Sequence, residues 1–311
     1  MTTLYIIVPC HNDEKRLSKT AATLLRKYEQ LAKKGMITPD SKIIFIDNAS
    51  TDDTWRKIRG YHRINPAFGG IKLCTHTERD KAILCGLLTL KGFADAIISI
   101  GSDLKDDIGA IDKMLEKFEL GYDVVYGVRN MPSNKYPDAN KYYSALNICR
   151  VGVVRNHADF RLMSRRAIEC LGLFKERNVF LKGIIPQMGL RSSAVKYSVA
   201  ADDSDDTFKD PIAQALNSIF SISTAPLHVI MVAGVVMTFI SLFFMMFFIV
   251  THTSIDENYM KFFFSTVWLI GSLLITAIGI VGEYIGKLYM EVKCRPRFIV
   301  EDIVLDIGRK K

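Results

Sequence analysis

Two long apolar runs, Leu227–Val250 and Phe262–Gly282, contain no Asp, Glu, Lys or Arg and follow a first part whose apolar runs are short and punctuated. They hold 24 and 21 residues. As helices at about 1.5 Å per residue they would measure roughly 36 and 31 Å, enough to cross a hydrocarbon core of about 30 Å. The order matters: a water-soluble domain first, then two spans, describes a machine held at a membrane, so a lipid is the expected substrate or partner.

Charge sets the expected orientation. Asp256 and Glu257 stand against Lys261 between the runs, whereas the stretch from Lys287 onward carries seven basic and four acidic residues. The positive-inside rule then puts both termini in the cytoplasm, at the inner (plasma) membrane, and the short loop outside. Met1–Val8 has no basic flank or apolar core of signal-peptide length before Pro9, so no cleaved leader is expected. The net charge of +8 fits either general solubility plus these topology signals or attraction to anionic head groups. No basic stripe with interleaved aromatics argues for nucleic acid. Six cysteines without a C-x-x-C pair fit reduced thiols and argue against a zinc site or a disulfide frame.

The first part alternates strand and helix. Strands are predicted at Leu4–Val8, Lys42–Ile46, Ile71–Cys74, Ala96–Ile100 and Asp123–Val128. Helices are predicted over Asp13–Lys34, with Asn12 as N-cap and Gly35 past its end, from about Asp53, over Lys81–Lys91, and over Arg165–Leu173. This alternation predicts an α/β fold with a mostly parallel, doubly covered sheet. Ligands bind such sheets at the carboxyl ends of the strands, which directs attention to Asn12, Asp47, Ser50, Asp52, Asp103 and Arg129. The acidic stretch Asp202–Asp206 reads as a solvated turn without EF-hand spacing. Pro211–Ser221 has apolar residues at helical spacing just before the first run and reads as an amphipathic helix on the membrane surface. The expected domains are 1–210 soluble, 211–226 interfacial, 227–289 membrane-spanning and 290–311 a basic tail.

Several stretches carry a family resemblance. Val8-Pro9-Cys10-His11-Asn12-Asp13-Glu14 resembles V-P-x-x-N-E-E, and Asp47-Asn48-Ala49-Ser50-Thr51-Asp52 resembles D-D-G-S-x-D, of family 2 glycosyltransferases with the GT-A fold. Asp159-Phe160-Arg161-Leu162 with Arg165, and Phe180-Leu181-Lys182-Gly183-Ile184, are similar to D-F-R-L-x-x-R and F-x-[RK]-G-[IL] of the polyprenyl-phosphate branch. Phe220-Ser221, Pro226-Leu227, Gly282-Glu283-Tyr284 and Arg295-Pro296-Arg297-Phe298 resemble that branch's membrane half. The nearest in pattern are bactoprenol glucosyltransferases of lipopolysaccharide O-antigen modification, with dolichol-phosphate mannose synthases more distant.

The resemblance implies a GT-A (Rossmann-like) domain, a nucleotide-sugar donor, a polyprenyl phosphate acceptor, a homo-oligomer and Mg²⁺ or Mn²⁺ as cofactor. It implies that Pro9, Asn12, Glu14, Asp47 and Ser50 line the nucleotide pocket. Asp103 would face the metal and diphosphate, Arg129, Lys105 and Lys182 the phosphates, and Asp159 and Arg161 the reacting sugar and acceptor. The sequence departs from the family at the metal motif. Where relatives read D-A-D-L-Q, Gly101-Ser102-Asp103-Leu104-Lys105 lacks the first carboxylate and gains a lysine. The stretch His76-Thr77-Glu78-Arg79-Asp80 lacks the relatives' glycine, Gln187 replaces a tryptophan, and Val199 and Asp202 fall where relatives carry arginines. Two readings stay open: a transferase in which Lys105 supplies part of the cation's charge, or a degenerate paralogue that binds or pairs without turnover.

Overall fold

The computed structural model describes residues 1–130, 157–177, 179–197 and 257–306. The first apolar run, the interfacial helix and the acidic stretch lie outside these residues.

One eight-stranded sheet organises the fold, in the order β7-β5-β6-β4-β1-β2-β3-β8. Its strands are β1 (Leu4–Cys10), β2 (Lys42–Asp47), β3 (Phe68–Leu73), β4 (Ala96–Ser99), β5 (Val124–Arg129), β6 (His157–Ser164), β7 (Ser192–Tyr197) and β8 (Val300–Val304). β1 pairs in parallel with β2 and β4, β2 with β3, and β5 with β7. Only β6 and β8 run against the rest, so the sheet is mostly parallel. The five predicted strands are present. Three strands were not read as strands: β6, which carries the Asp159-Phe160-Arg161-Leu162 motif, β7 and β8.

The helices are α1 (Glu14–Lys33), α2 (Thr54–Ile64), α3 (Arg79–Leu90), α4 (Ala110–Glu119), α5 (Arg165–Leu173), α6 (Leu181–Gln187) and α7 (Glu257–Val292). Strand residues alternate between two cores. Leu4, Ile6 and Val8 face Leu17, Leu24 and Leu31 of α1 and Met114 and Leu115 of α4. Tyr5 and Ile7 face Ile83 and Leu87 of α3 and Ile168 and Leu171 of α5. With both faces covered, every residue of β1 is buried, which explains why the strand reads as a continuous apolar run.

Two predicted details change. Asn12 is not the N-cap of α1. It sits at φ 52°, a left-handed position that Asn tolerates, and Asp13 holds the cap position. Gly35 does stand just past α1, at φ 69°, its N–H reaching Ala32 O at 3.0 Å. Part of the expected basic tail instead joins the sheet. β8 pairs antiparallel with β3, Lys72 meets Glu301 at 2.7 Å, and Arg297 donates to Phe174 O at 2.7 Å. This closes an edge that would otherwise expose unpaired backbone groups.

α7 has 36 residues and so measures about 54 Å. Over the described residues, no helix is long and apolar enough to cross a membrane. α7 nonetheless presents an exposed stripe at helical spacing that includes Phe263, Val267, Ile270, Leu274, Ile278, Val281 and Ile285.

Close packing between β5, β6 and α4 makes Gly127 a sensitive position. A Cβ there would lie 2.8 Å from Phe160 O and 3.0 Å from Met114 Cε. Gly127→Ala is expected to cost about 1–3 kcal/mol through overpacking, seen as a lower denaturation midpoint with an unchanged m-value.

Candidate active site

A cleft of about 400 Å³ opens at the carboxyl ends of β1, β2 and β4, with the segment leading into α3 as its far wall. Pro9, His11, Asn48, Arg79, Ser102 and Asp103 are among the residues that line it.

Three of the loops around the cleft turn through left-handed backbone at non-glycine residues: Asn12 at φ 52° after β1, Ala49 at φ 53° after β2 and Leu104 at φ 50° after β4. Such positions cost free energy for residues with a Cβ and persist where the surroundings hold them. At the first two, side chains do the holding. Asn12 Oδ1 accepts from Thr51 N at 2.8 Å, and Ser50 Oγ accepts from Asn12 N at 3.0 Å. Asp47 is fully buried and accepts from both the N–H and the hydroxyl of Ser50. Burial pushes the Asp47 carboxyl above the usual carboxylate range, against the lowering effect of those bonds. Glu14 turns outward: Lys57 Nζ donates to its carbonyl at 2.9 Å and lies 3.6 Å from its carboxylate. Thus of the five expected nucleotide residues Pro9 lines the cleft, while Asn12, Glu14, Asp47 and Ser50 tie together the loops behind it.

Asn48, which sequence reading did not single out, joins the two walls. Its Nδ2 donates to Thr77 O at 2.7 Å, and its Oδ1 accepts from Thr77 N at 2.9 Å. Its carbonyl takes Nδ1–H bonds from His11 at 2.9 Å and His76 at 3.3 Å, and the two rings lie 4.1 Å apart. Asp13 fixes the floor, accepting from Ser102 Oγ at 2.7 Å and pairing with Arg16 at 3.0 Å.

Beside the cleft, charge gathers on Asp159. Arg79 Nε lies 3.0 Å from its Oδ2, and Arg161 Nη2 3.2 Å and Lys182 Nζ 3.9 Å from its Oδ1. Arg161 is only 1% exposed, and among the described residues its Nε and Nη1 have no hydrogen-bond partner. Asp80 belongs to the same group. Burial first, then the charge of Asp159, raises its carboxyl, while Arg161, Lys182 and a 2.8 Å bond from Leu181 N oppose the rise. Three cations face two carboxylates among these five groups, an arrangement that attracts anions.

The remaining expected residues fall elsewhere. Arg129 pairs with Asp106 at 3.0 Å, and Tyr197 donates to the same oxygen at 2.5 Å. Arg129 is thus turned toward a buried carboxylate and does not line the cleft. Lys105 follows Asp103 on the same loop but does not line the cleft either. Arg79 and Asp80 were visible in the sequence as a departure from the glycine-bearing family pattern, but only the fold brings them to Asp103 and Asp159.

Known proteins decide the family. Residues 5–172 match the family described as Glycosyl transferase family 2. The chain belongs to this family. It is 35% identical to an uncharacterized glycosyltransferase, YkoT, of Bacillus subtilis, over 96% of this chain and 91% of that one. It is 30% identical to a prophage bactoprenol glucosyl transferase homolog of Escherichia coli, over 96% of this chain and 98% of that one. Among solved structures, a mannosyltransferase from Pyrobaculum calidifontis, determined with GDP-Man and Mn²⁺, superposes with a TM-score of 0.50 at 16% identity. That match covers 70% of this chain and 63% of the other, and shows that the fold is shared.

Ala49 occupies the left-handed turn where the family pattern D-D-G-S-x-D has glycine. Ala49→Gly should therefore stabilise the fold by about 1 kcal/mol, read as a rise in the thermal midpoint.

Proposed function

We propose that this family 2 glycosyltransferase moves a sugar from a nucleotide-sugar donor, a UDP-sugar in our reading, to polyprenyl phosphate, undecaprenyl phosphate in bacteria. The reaction would run at the cytoplasmic face of the inner membrane, with inversion. The observation that carries the reading is the cationic group on Asp159 beside a cleft at the strand ends. Both substrates are phosphates, and this group sets three cations against two carboxylates. Relatives named bactoprenol glucosyl transferase, aligned over nearly the whole chain, support the acceptor class.

The chemistry asks little of a general base. An acceptor phosphate is already anionic near neutral pH, so its oxygen attacks the anomeric carbon directly. The C1–O bond to the donor diphosphate breaks, and the electron pair leaves with the nucleoside diphosphate. Positioning and charge neutralisation supply most of the rate. Asp159 is assigned to the reacting centre, where it also orients Arg161 and Lys182. Those two cations would meet the acceptor phosphate.

The membrane anchor is part of the proposal. It rests on the uncharged runs Leu227–Val250 and Phe262–Gly282, the second of which lies within α7, and on the exposed apolar stripe of that helix, a face suited to lipid. The basic excess after Lys287 supports a cytoplasmic site.

Gly101 favours one alternative, a degenerate binding protein. Purified full-length chain in lipid nanodiscs with polyprenyl phosphate and a panel of radiolabelled UDP- and GDP-sugars separates the two. Label is expected in an organic-extractable, mild-acid-labile lipid with at least one UDP-sugar. Asp159→Asn is expected to lower the rate by about 100-fold or more. No labelled lipid from any donor would favour the non-catalytic protein.

A further inference from the structure

We infer that the guanidinium of Arg79, rather than a divalent cation, neutralises the donor diphosphate in this cleft, an inference that rests on the donor-site reading above. The geometry at Gly101 carries it. A Cβ built there would lie 2.9 Å from Arg79 Nη2 and 2.7 Å from Asp103 Oδ1. The space into which the family's first metal-binding carboxylate would project is thus bounded by a fixed cation.

The remaining donor set does not suit a hard dication. Mg²⁺ and Mn²⁺ take about six oxygen ligands, and carboxylates supply the charge. Among the described residues no three His, Cys, Asp or Glu side chains converge as a metal site. Asp103 is exposed on its loop; of the other carboxylates on the cleft wall, Asp13 is already engaged by Ser102 and Arg16, and Glu78 by Lys81. A dication bound at Asp103 would also sit against the Arg79 guanidinium and be repelled by it.

Arg79 is well placed for the task. Its Nε is fixed by Asp159 at 3.0 Å, while Nη2 faces Gly101 at the cleft. It is the first residue of the 12-residue helix α3, whose amino end adds positive potential. A guanidinium stays charged at any working pH and can bind two phosphate oxygens at once. In the transfer step it would donate hydrogen bonds to the departing diphosphate without exchanging a proton. Lys105 was the cation expected for this role from the sequence, but Arg79 is the one that lines the cleft.

Calorimetric titration of the detergent-solubilised full-length chain with UDP, and separately GDP, in EDTA or in Mn²⁺ tests this. The nucleotide that binds should do so with Kd values within about twofold in the two buffers. Arg79→Gln should weaken binding in EDTA by about tenfold or more, with partial recovery in Arg79→Lys. Electron paramagnetic resonance should show no Mn²⁺ uptake on adding nucleotide. The Arg79 side chain is 53% exposed, so these variants are expected to fold, which a thermal melt checks. Should Arg79→Gln unfold, the EDTA comparison on the native chain decides alone. Binding that weakens about tenfold in EDTA, or a folded Arg79→Gln with native affinity, overturns the inference and leaves the donor-site reading standing. A folded native chain that binds neither nucleotide in either buffer overturns both.

Discussion

Asp159 holds Arg79, Arg161 and Lys182 in one place, and much of the site depends on that single carboxylate. The three cations come from α3, β6 and α6, elements far apart in sequence. Like charges at such distances repel, and Arg161 does so from a nearly dry position. One anion makes the gathering tolerable without cancelling it. Asp80 adds a second carboxylate to the group, so three cations face two and the balance stays positive. A phosphate entering beside this group would supply the charge that the protein withholds.

The loops follow from the same requirement. Three left-handed turns bring the ends of β1, β2 and β4 together, and the first two are held by side-chain hydrogen bonds rather than by glycine. Asn48 then fixes the segment before α3, and with it Arg79, to the end of β2. At the far edge β8 brings the chain after α7 back onto β3, so the long helix and the sheet are joined covalently and by strand pairing. The site is thereby tethered to the element that our reading places at the membrane.

The sheet was largely legible in the sequence because its central strands are buried on both faces and read as apolar runs between turn signals. β7 is half exposed and β8 mostly exposed, so neither shows such a run. β6 was hidden by its motif, since polar Asp159 and Arg161 interrupt the pattern. The family motifs located the loops but did not assign side-chain directions. Asn12 suggested a cap, yet its carboxamide crosses to Thr51. Arg129 suggested a phosphate ligand, yet it turns to Asp106. Arg79 could not be found from spacing alone, because its meeting with Gly101 joins α3 to the end of β4 through tertiary packing. The loss of a carboxylate at Gly101, taken with a gained arginine nearby, was the available signal, and sequence reading assigned it to Lys105.

The central claim is that the Arg79 guanidinium, rather than a divalent cation, meets the donor diphosphate. The most direct measurement is an anomalous difference map from crystals of the full-length chain grown with UDP and Mn²⁺. The account predicts the diphosphate within hydrogen-bonding distance of the Arg79 guanidinium and no anomalous peak between it and Asp103. A Mn²⁺ peak bridging Asp103 and the diphosphate, with Arg79 turned away, would contradict it.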